Sequence, residues 1–153
     1  MRKNVLIIED DDTARKYIEN IDEEKYRVYL SKTLKDADYR INTDPSIANI
    51  AGIIVDLRII SVISKYDFNS EEEDLNYLDG ENENVELTGW VWLRRFLINN
   101  PEFPRKRIAI VSAYVTKILP KDVKNYCEDI TIIDKTSDGA TKEIKNFLEN
   151  LQN

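Results

Sequence analysis

The chain contains no histidine and one cysteine, Cys127, among 153 residues. Without histidine there can be no zinc–histidine centre, no Ser–His or Cys–His nucleophile pair and no phosphohistidine carrier. A single cysteine excludes an internal disulfide and every CxxC redox or zinc arrangement. No GxGxxG and no P-loop run is present, which argues against a nucleotide or flavin binder. Apolar runs are short as well. None approaches the roughly 20 residues that span a bilayer. The start, Met1-Arg2-Lys3-Asn4-Val5, soon gives way to acids, unlike a signal peptide, so a cytoplasmic location is expected.

What is present describes a globular protein. Hydrophobic residues make up 42% and charged residues 33% of the chain, a mixture that folds rather than staying disordered. The length suits a single domain over 1–153 that buries about two-thirds of its unfolded surface. The net charge of −7 argues against nucleic-acid binding and against attraction to an anionic membrane. Residues 61–88 hold nine acids and one base, so this acidic segment carries −8 and the remaining chain about +1.

Apolar runs alternate with helix-period stretches from end to end. Val5-Leu6-Ile7-Ile8 is a short branched run suited to a strand buried on both faces. Ala14, Tyr17, Ile18 and Ile21 follow at the spacing of an amphipathic helix. Tyr26–Leu30 reads as a strand nearer an edge. Leu34, Ala37 and Ile41 outline a helix closed by Asn42-Thr43-Asp44-Pro45. Gly52–Val55 is a third strand, ending at Asp56. A helix opens near Gly89 and turns Trp90, Leu93, Phe96 and Leu97 inward, with Val91 toward water, until Asn99-Asn100-Pro101 stops it. Ile108–Val111 and Ile130–Ile133 are two more strands. Between them Leu119, Val123 and Tyr126 form a stripe with Pro120 in the first turn. Ile144, Phe147, Leu148 and Leu151 mark the inner face of a last helix. Five such βα repeats predict a doubly wound α/β fold, a five-stranded parallel sheet with helices on both faces. Its ligand pocket belongs outside the carboxyl ends of the strands.

Those ends are rich in chemistry. The first strand runs into Glu9-Asp10-Asp11-Asp12, the third into Asp56, the fourth into Ser112-Ala113 and the fifth into Asp134-Lys135. Carboxylates crowded together raise one another's pKa unless a cation compensates. Mg²⁺ prefers hard oxygen ligands and pairs with one or two carboxylates plus phosphate. Lys135 adds an ammonium and Ser112 a hydroxyl, so the set suits a phosphoryl group.

With VLIIEDD at 5–11, IIVD at 53–56, TGWVWLRRF at 88–96, IVSA at 110–113 and IIDK at 132–135, the chain resembles the receiver domain of two-component response regulators. The resemblance spans nearly the full length apart from 61–88. It implies the flavodoxin-like strand order 2-1-3-4-5 and places Asp56 on the phosphoacceptor. Glu9 and Asp10 fall on the Mg²⁺-binding acids, with Asp56 itself and the backbone carbonyl of Arg58 completing the metal ligands. Ser112, Ala113 and Lys135 fall on the positions that hold the phosphoryl group. Implied partners are a sensor histidine kinase or phosphotransfer protein as donor and a downstream protein, with a homodimer left open.

Three features depart from the family's pattern. The segment between Asp56 and Gly89 is about 25 residues longer than usual for such a loop. Within it Ser70-Glu71-Glu72-Glu73 resembles a capping box, which suggests a short helix over roughly 71–78, and a lid beside the pocket is one reading of the segment. Ile132 stands at the switch position where many receivers carry Tyr or Phe. Thr136 follows the lysine where Pro is usual.

The expected function is therefore a stand-alone receiver phosphorylated on Asp56, a signalling domain rather than an enzyme. The alternative is a phosphorylation-independent interaction module that uses the acidic segment. A Mg²⁺-dependent phosphohydrolase with an Asp nucleophile fits less well, because that chemistry wants a second Asp where Arg58 stands.

Overall fold

The computed structural model describes residues 1–12, 19, 21–59, 77–78 and 86–151. Five strands form one sheet: β1 (Lys3–Ile8), β2 (Tyr26–Ser31), β3 (Ile50–Val55), β4 (Ile108–Ser112) and β5 (Thr131–Asp134). Their order is β2-β1-β3-β4-β5 and every neighbouring pair is parallel. This is the doubly wound sheet expected from the repeating pattern, in the flavodoxin-like order that the resemblance implies.

Alternation along the strands divides the core in two. Leu6 and Ile8 of β1, Ile53 and Val55 of β3, and Ile108 and Ile110 of β4 point to one face. There they meet α1 (Leu34–Asn42) through Leu34 and Ala37, and α2 (Thr88–Asn99) through Trp90, Leu93 and Leu97. Helix α3 (Pro120–Tyr126) adds Val123 and Tyr126, both half-buried, to the same layer. Val5, Ile7, Ile54, Ala109, Val111 and Ile133 point the other way, onto Ala140, Ile144, Phe147 and Leu148 of α4 (Ala140–Asn150). Successive strand side chains face opposite ways, so an unbroken apolar strand feeds both layers.

Local signals explain the boundaries. The Thr33 hydroxyl caps α1 by accepting the Asp36 N–H at 3.0 Å, one of the orphan donors of a helix start. Pro120 occupies the first turn of α3, where its missing N–H costs nothing. Helix α2 ends at Asn99, just before Asn100-Pro101.

Two expectations need correction. Val91, placed toward water by helix period, is fully buried with Leu57, Ile59, Tyr77 and Leu87. Trp92 on the same turn is also buried, and its indole N–H donates to Asp38 Oδ1 at 2.7 Å. Helix α2 is thus covered nearly all round, as an apolar helix requires. Leu119, placed in the inward stripe of α3, is 38% exposed, whereas Asp122 is buried. Asp122 is held by the hydroxyl of Tyr77, and that bond offsets the cost of burying a carboxylate.

The helix expected around Ala14, Tyr17 and Ile18 lies outside the described residues, although Glu19 is helical and Ile21 is buried against the α4 layer. The lid reading and the helix over roughly 71–78 also lie outside them, except that Tyr77 and Leu78 are helical. Among the described residues no helix is long and apolar enough to cross a membrane.

Candidate functional site

Sheet register brings the acidic residues together. Ile8 pairs with Val55, and the ladder runs one step further, since the Asp56 N–H donates to the Ile8 carbonyl at 3.0 Å. On the other side of β1 the Glu9 N–H donates to Ser31 O at 3.0 Å. Glu9 and Asp56 therefore leave adjacent strands at the same level. Oxygens of Glu9, Asp10 and Asp56 lie within 4.8 Å of one another, close enough to hold a metal ion together. Glu9 and Asp56 are buried and Asp10 is half-buried.

The fifth strand supplies the positive charge. Ser112 pairs with Asp134, and the Lys135 N–H donates to Ser112 O at 3.2 Å. From there Lys135 reaches across β4, placing Nζ 2.9 Å from Asp56 Oδ2 and 3.3 Å from Glu9 Oε2. Thr136 occupies the position after the lysine. Its N–H and hydroxyl both donate to Asp134 Oδ1, at 2.9 and 2.6 Å, and these bonds hold the Asp134 carboxyl below its usual range.

One ammonium does not balance three acids. Burial, reinforced by the Asp56 charge, pushes the Glu9 carboxyl up to about 8, against the opposing pull of Lys135 and the Asp11 N–H. Glu9 thus keeps a proton to higher pH than an ordinary carboxyl does. A hard divalent cation meets the same charge demand with the same oxygens.

The hydroxyl of Ser112 is fully buried and accepts the Tyr114 N–H at 3.1 Å, which leaves its own proton available for donation. Ala113 is exposed at the turn after β4. The Arg58 N–H points at Asp56 Oδ1 over 3.4 Å. Its guanidinium meets the Tyr114 hydroxyl at 3.1 Å and lies 5.6 Å from the centre of that ring. This contact escaped the sequence reading. Its only trace is that Arg58 and Tyr114 each stand two residues beyond a strand-end residue of the site. Ile132 is 38% exposed on β5.

The opening of α2 is built onto the site. The Leu57 carbonyl accepts the Gly89 N–H at 2.8 Å and the Trp90 N–H at 3.3 Å. Thr88 Oγ1 donates to Ile59 O at 2.8 Å and accepts the Ile59 N–H at 3.2 Å.

A parallel sheet with order 2-1-3-4-5 and an acidic cluster at its strand ends defines the fold as that of response-regulator receivers. A solved structure of a response regulator has the same fold. The phosphorylated cyanobacterial phytochrome response regulator RcpA aligns with a TM-score of 0.55 over 98% of this chain and 91% of its own, at 12% identity. A fusion carrying a trimeric coiled-coil segment of yeast Spc42 aligns with a TM-score of 0.57 over 99% of this chain and 80% of its own, at 14% identity. At such identities the likeness concerns the fold. No family model matches the sequence, and neither does any curated protein.

Proposed function

We propose that the chain is a response-regulator receiver that accepts a phosphoryl group on Asp56 with the help of Mg²⁺ and signals through contacts with other proteins. The observation that carries this reading is the ammonium of Lys135 bonded to both Asp56 and Glu9 inside a three-carboxylate cluster.

In this reading an Asp56 carboxylate oxygen attacks the phosphorus of a donor phosphohistidine. A P–O bond forms, the P–N bond breaks, and the imidazole leaves with the bonding electron pair. Lys135 moves from pairing with the carboxylate to pairing with a phosphoryl oxygen. The Ser112 hydroxyl and the Ala113 N–H donate to the others. Glu9, Asp10, Asp56 and the Arg58 carbonyl would hold Mg²⁺, which when bound supplies the positive charge that admits a phosphoryl dianion among acids. The donor is a sensor histidine kinase or phosphotransfer protein in the cytoplasm, and the receiver catalyses no turnover of its own beyond gain and loss of the group. A phosphohydrolase is disfavoured by Arg58 at the position where a second Asp is needed.

Exposed Ile132 favours a second reading, an interaction module independent of phosphorylation, because an isoleucine cannot make the swing of an aromatic switch. The two readings separate by intact mass after incubation with Mg²⁺ and a small phosphodonor. The receiver gains one phosphoryl mass and Asp56→Asn gains none. A wild-type chain that never gains the mass, or a variant that gains it equally, defeats the first reading.

A further inference from the structure

Tyr77 touches the starts of two helices that both trace back to the acidic site. Its hydroxyl donates to the buried Asp122 carboxylate in the first turn of α3 and accepts the Leu119 N–H, just before that helix, at 3.2 Å. Its carbonyl accepts the Leu87 N–H, just before α2, at 2.8 Å. Its ring stands edge-on to Trp90, centre to centre 6.1 Å, and Trp90 stands likewise against Tyr126 at 6.2 Å. Tyr77 is itself buried. Burial first, and the bond to Asp122 next, hold its phenol above the ordinary range, so it stays a donor. The Trp90 indole N–H makes no hydrogen bond among the described residues, although its nearness to the phenol draws the Tyr77 pKa in the opposite, downward direction.

The chain runs from each of these contacts to the site. Leu87 leads into Gly89 and Trp90, whose N–H groups bond the Leu57 carbonyl next to Asp56. Leu119 is the far end of the loop that leaves Ser112 and carries Tyr114 to Arg58. We propose that Tyr77 is a latch that ties the start of α3 to the start of α2 and so holds loop 113–119 in its resting place beside Asp56. The inference rests on Asp56 as phosphoacceptor. A phosphoryl group on Asp56 draws on the Ser112 hydroxyl that the Tyr114 N–H now bonds, and on this inference the loop answers only by pulling Leu119 and Asp122 from Tyr77. Coupling is reciprocal: what the latch opposes, its removal favours. The latch thus restrains phosphorylation, and Tyr77 acts as a positioning residue.

Amide hydrogen exchange on the full chain, read beside a time course of phosphoryl uptake from a small phosphodonor with Mg²⁺, tests this. In Tyr77→Phe the peptide over 113–126 exchanges at least roughly tenfold faster, as expected for losing both hydrogen bonds of the Tyr77 hydroxyl, while the peptide over α4 keeps its rate. Uptake on Asp56 accelerates by a similar factor. Asp122→Asn, which preserves an acceptor for the Tyr77 hydroxyl, stays near wild type in both measurements. Unchanged exchange over 113–126 overturns the latch, and so does equal acceleration over α4, which would make Tyr77 a residue of global stability only. A freed loop with an unchanged uptake rate overturns the coupling. A wild-type chain that takes up no phosphoryl group refutes the reading of Asp56, and the exchange comparison then decides the latch by itself.

Discussion

A side chain at Gly89 would put its Cβ 1.9 Å from the carbonyl oxygen of Asp56. The obstacle is backbone, so no rotamer change relieves it. The first turn of α2 approaches the end of β3 this closely because its N–H groups use the next carbonyl, Leu57 O, as an acceptor. Gly89→Ala therefore has to push α2 and Asp56 apart. It should cost about 3 kcal/mol of stability, seen as a lower urea midpoint, and should abolish phosphoryl uptake. An unchanged midpoint would mean that the approach is looser than this.

Glu9 predicts a pH dependence of stability in Mg²⁺-free buffer. Its carboxyl ordinarily titrates near 4.5 and in the folded chain near 8. The folded state holds this proton more tightly than the unfolded chain, so its contribution is complete below about 4.5 and is lost as pH rises through about 8. Denaturant titrations should show stability falling across that window by roughly 3–5 kcal/mol. Glu9→Gln should flatten the fall, and saturating Mg²⁺ should reduce it. Equal pH profiles for wild type and Glu9→Gln would show that another group controls the slope.

Lys135→Met removes the ammonium but keeps most of the side-chain volume. Since Lys135 lowers the Glu9 pKa, the variant should move the pH-dependent loss of stability upward. Phosphoryl uptake should drop by roughly 10²-fold, the usual effect of deleting one charged stabilising group. Uptake at the wild-type rate would remove Lys135 from the proposed chemistry.

Thr136→Ala tests whether hydrogen bonds to Asp134 replace the rigidity of a proline after the lysine. The variant loses the hydroxyl bond, 2.6 Å in length, and keeps the N–H bond. A modest loss of stability, below about 1 kcal/mol at this exposed site, should accompany a slower phosphoryl uptake. If uptake is unaffected, the N–H bond alone suffices to seat Lys135.

The strands were legible because each apolar run is short, branched and followed at once by polar residues. That reading also located Glu9, Asp10, Asp56, Ser112 and Lys135, since a parallel sheet gathers whatever follows its strands. Val91 was misplaced for a different reason. Helix period shows which face meets the sheet, but it cannot show that distant residues, Leu57, Ile59 and Tyr77 among them, join Val91 in the same core. Asp122 reads locally as an ordinary first-turn acid, and only a tyrosine 45 residues upstream turns it inward. Arg58 and Tyr114, which are 56 residues apart, meet for the same reason. Pairings at such separation have no periodic signature.

The split of β1 between two layers gives its length a chemical meaning. Val5 and Ile7 serve the α4 side, Leu6 and Ile8 the α2 side, and Glu9 follows in that parity. Deleting one residue within β1 would turn the side chains that follow to the opposite layer and present Asp10 where Glu9 now meets Lys135. The spacing between the apolar residues of β1 and the acids therefore sets which carboxylate confronts the amine.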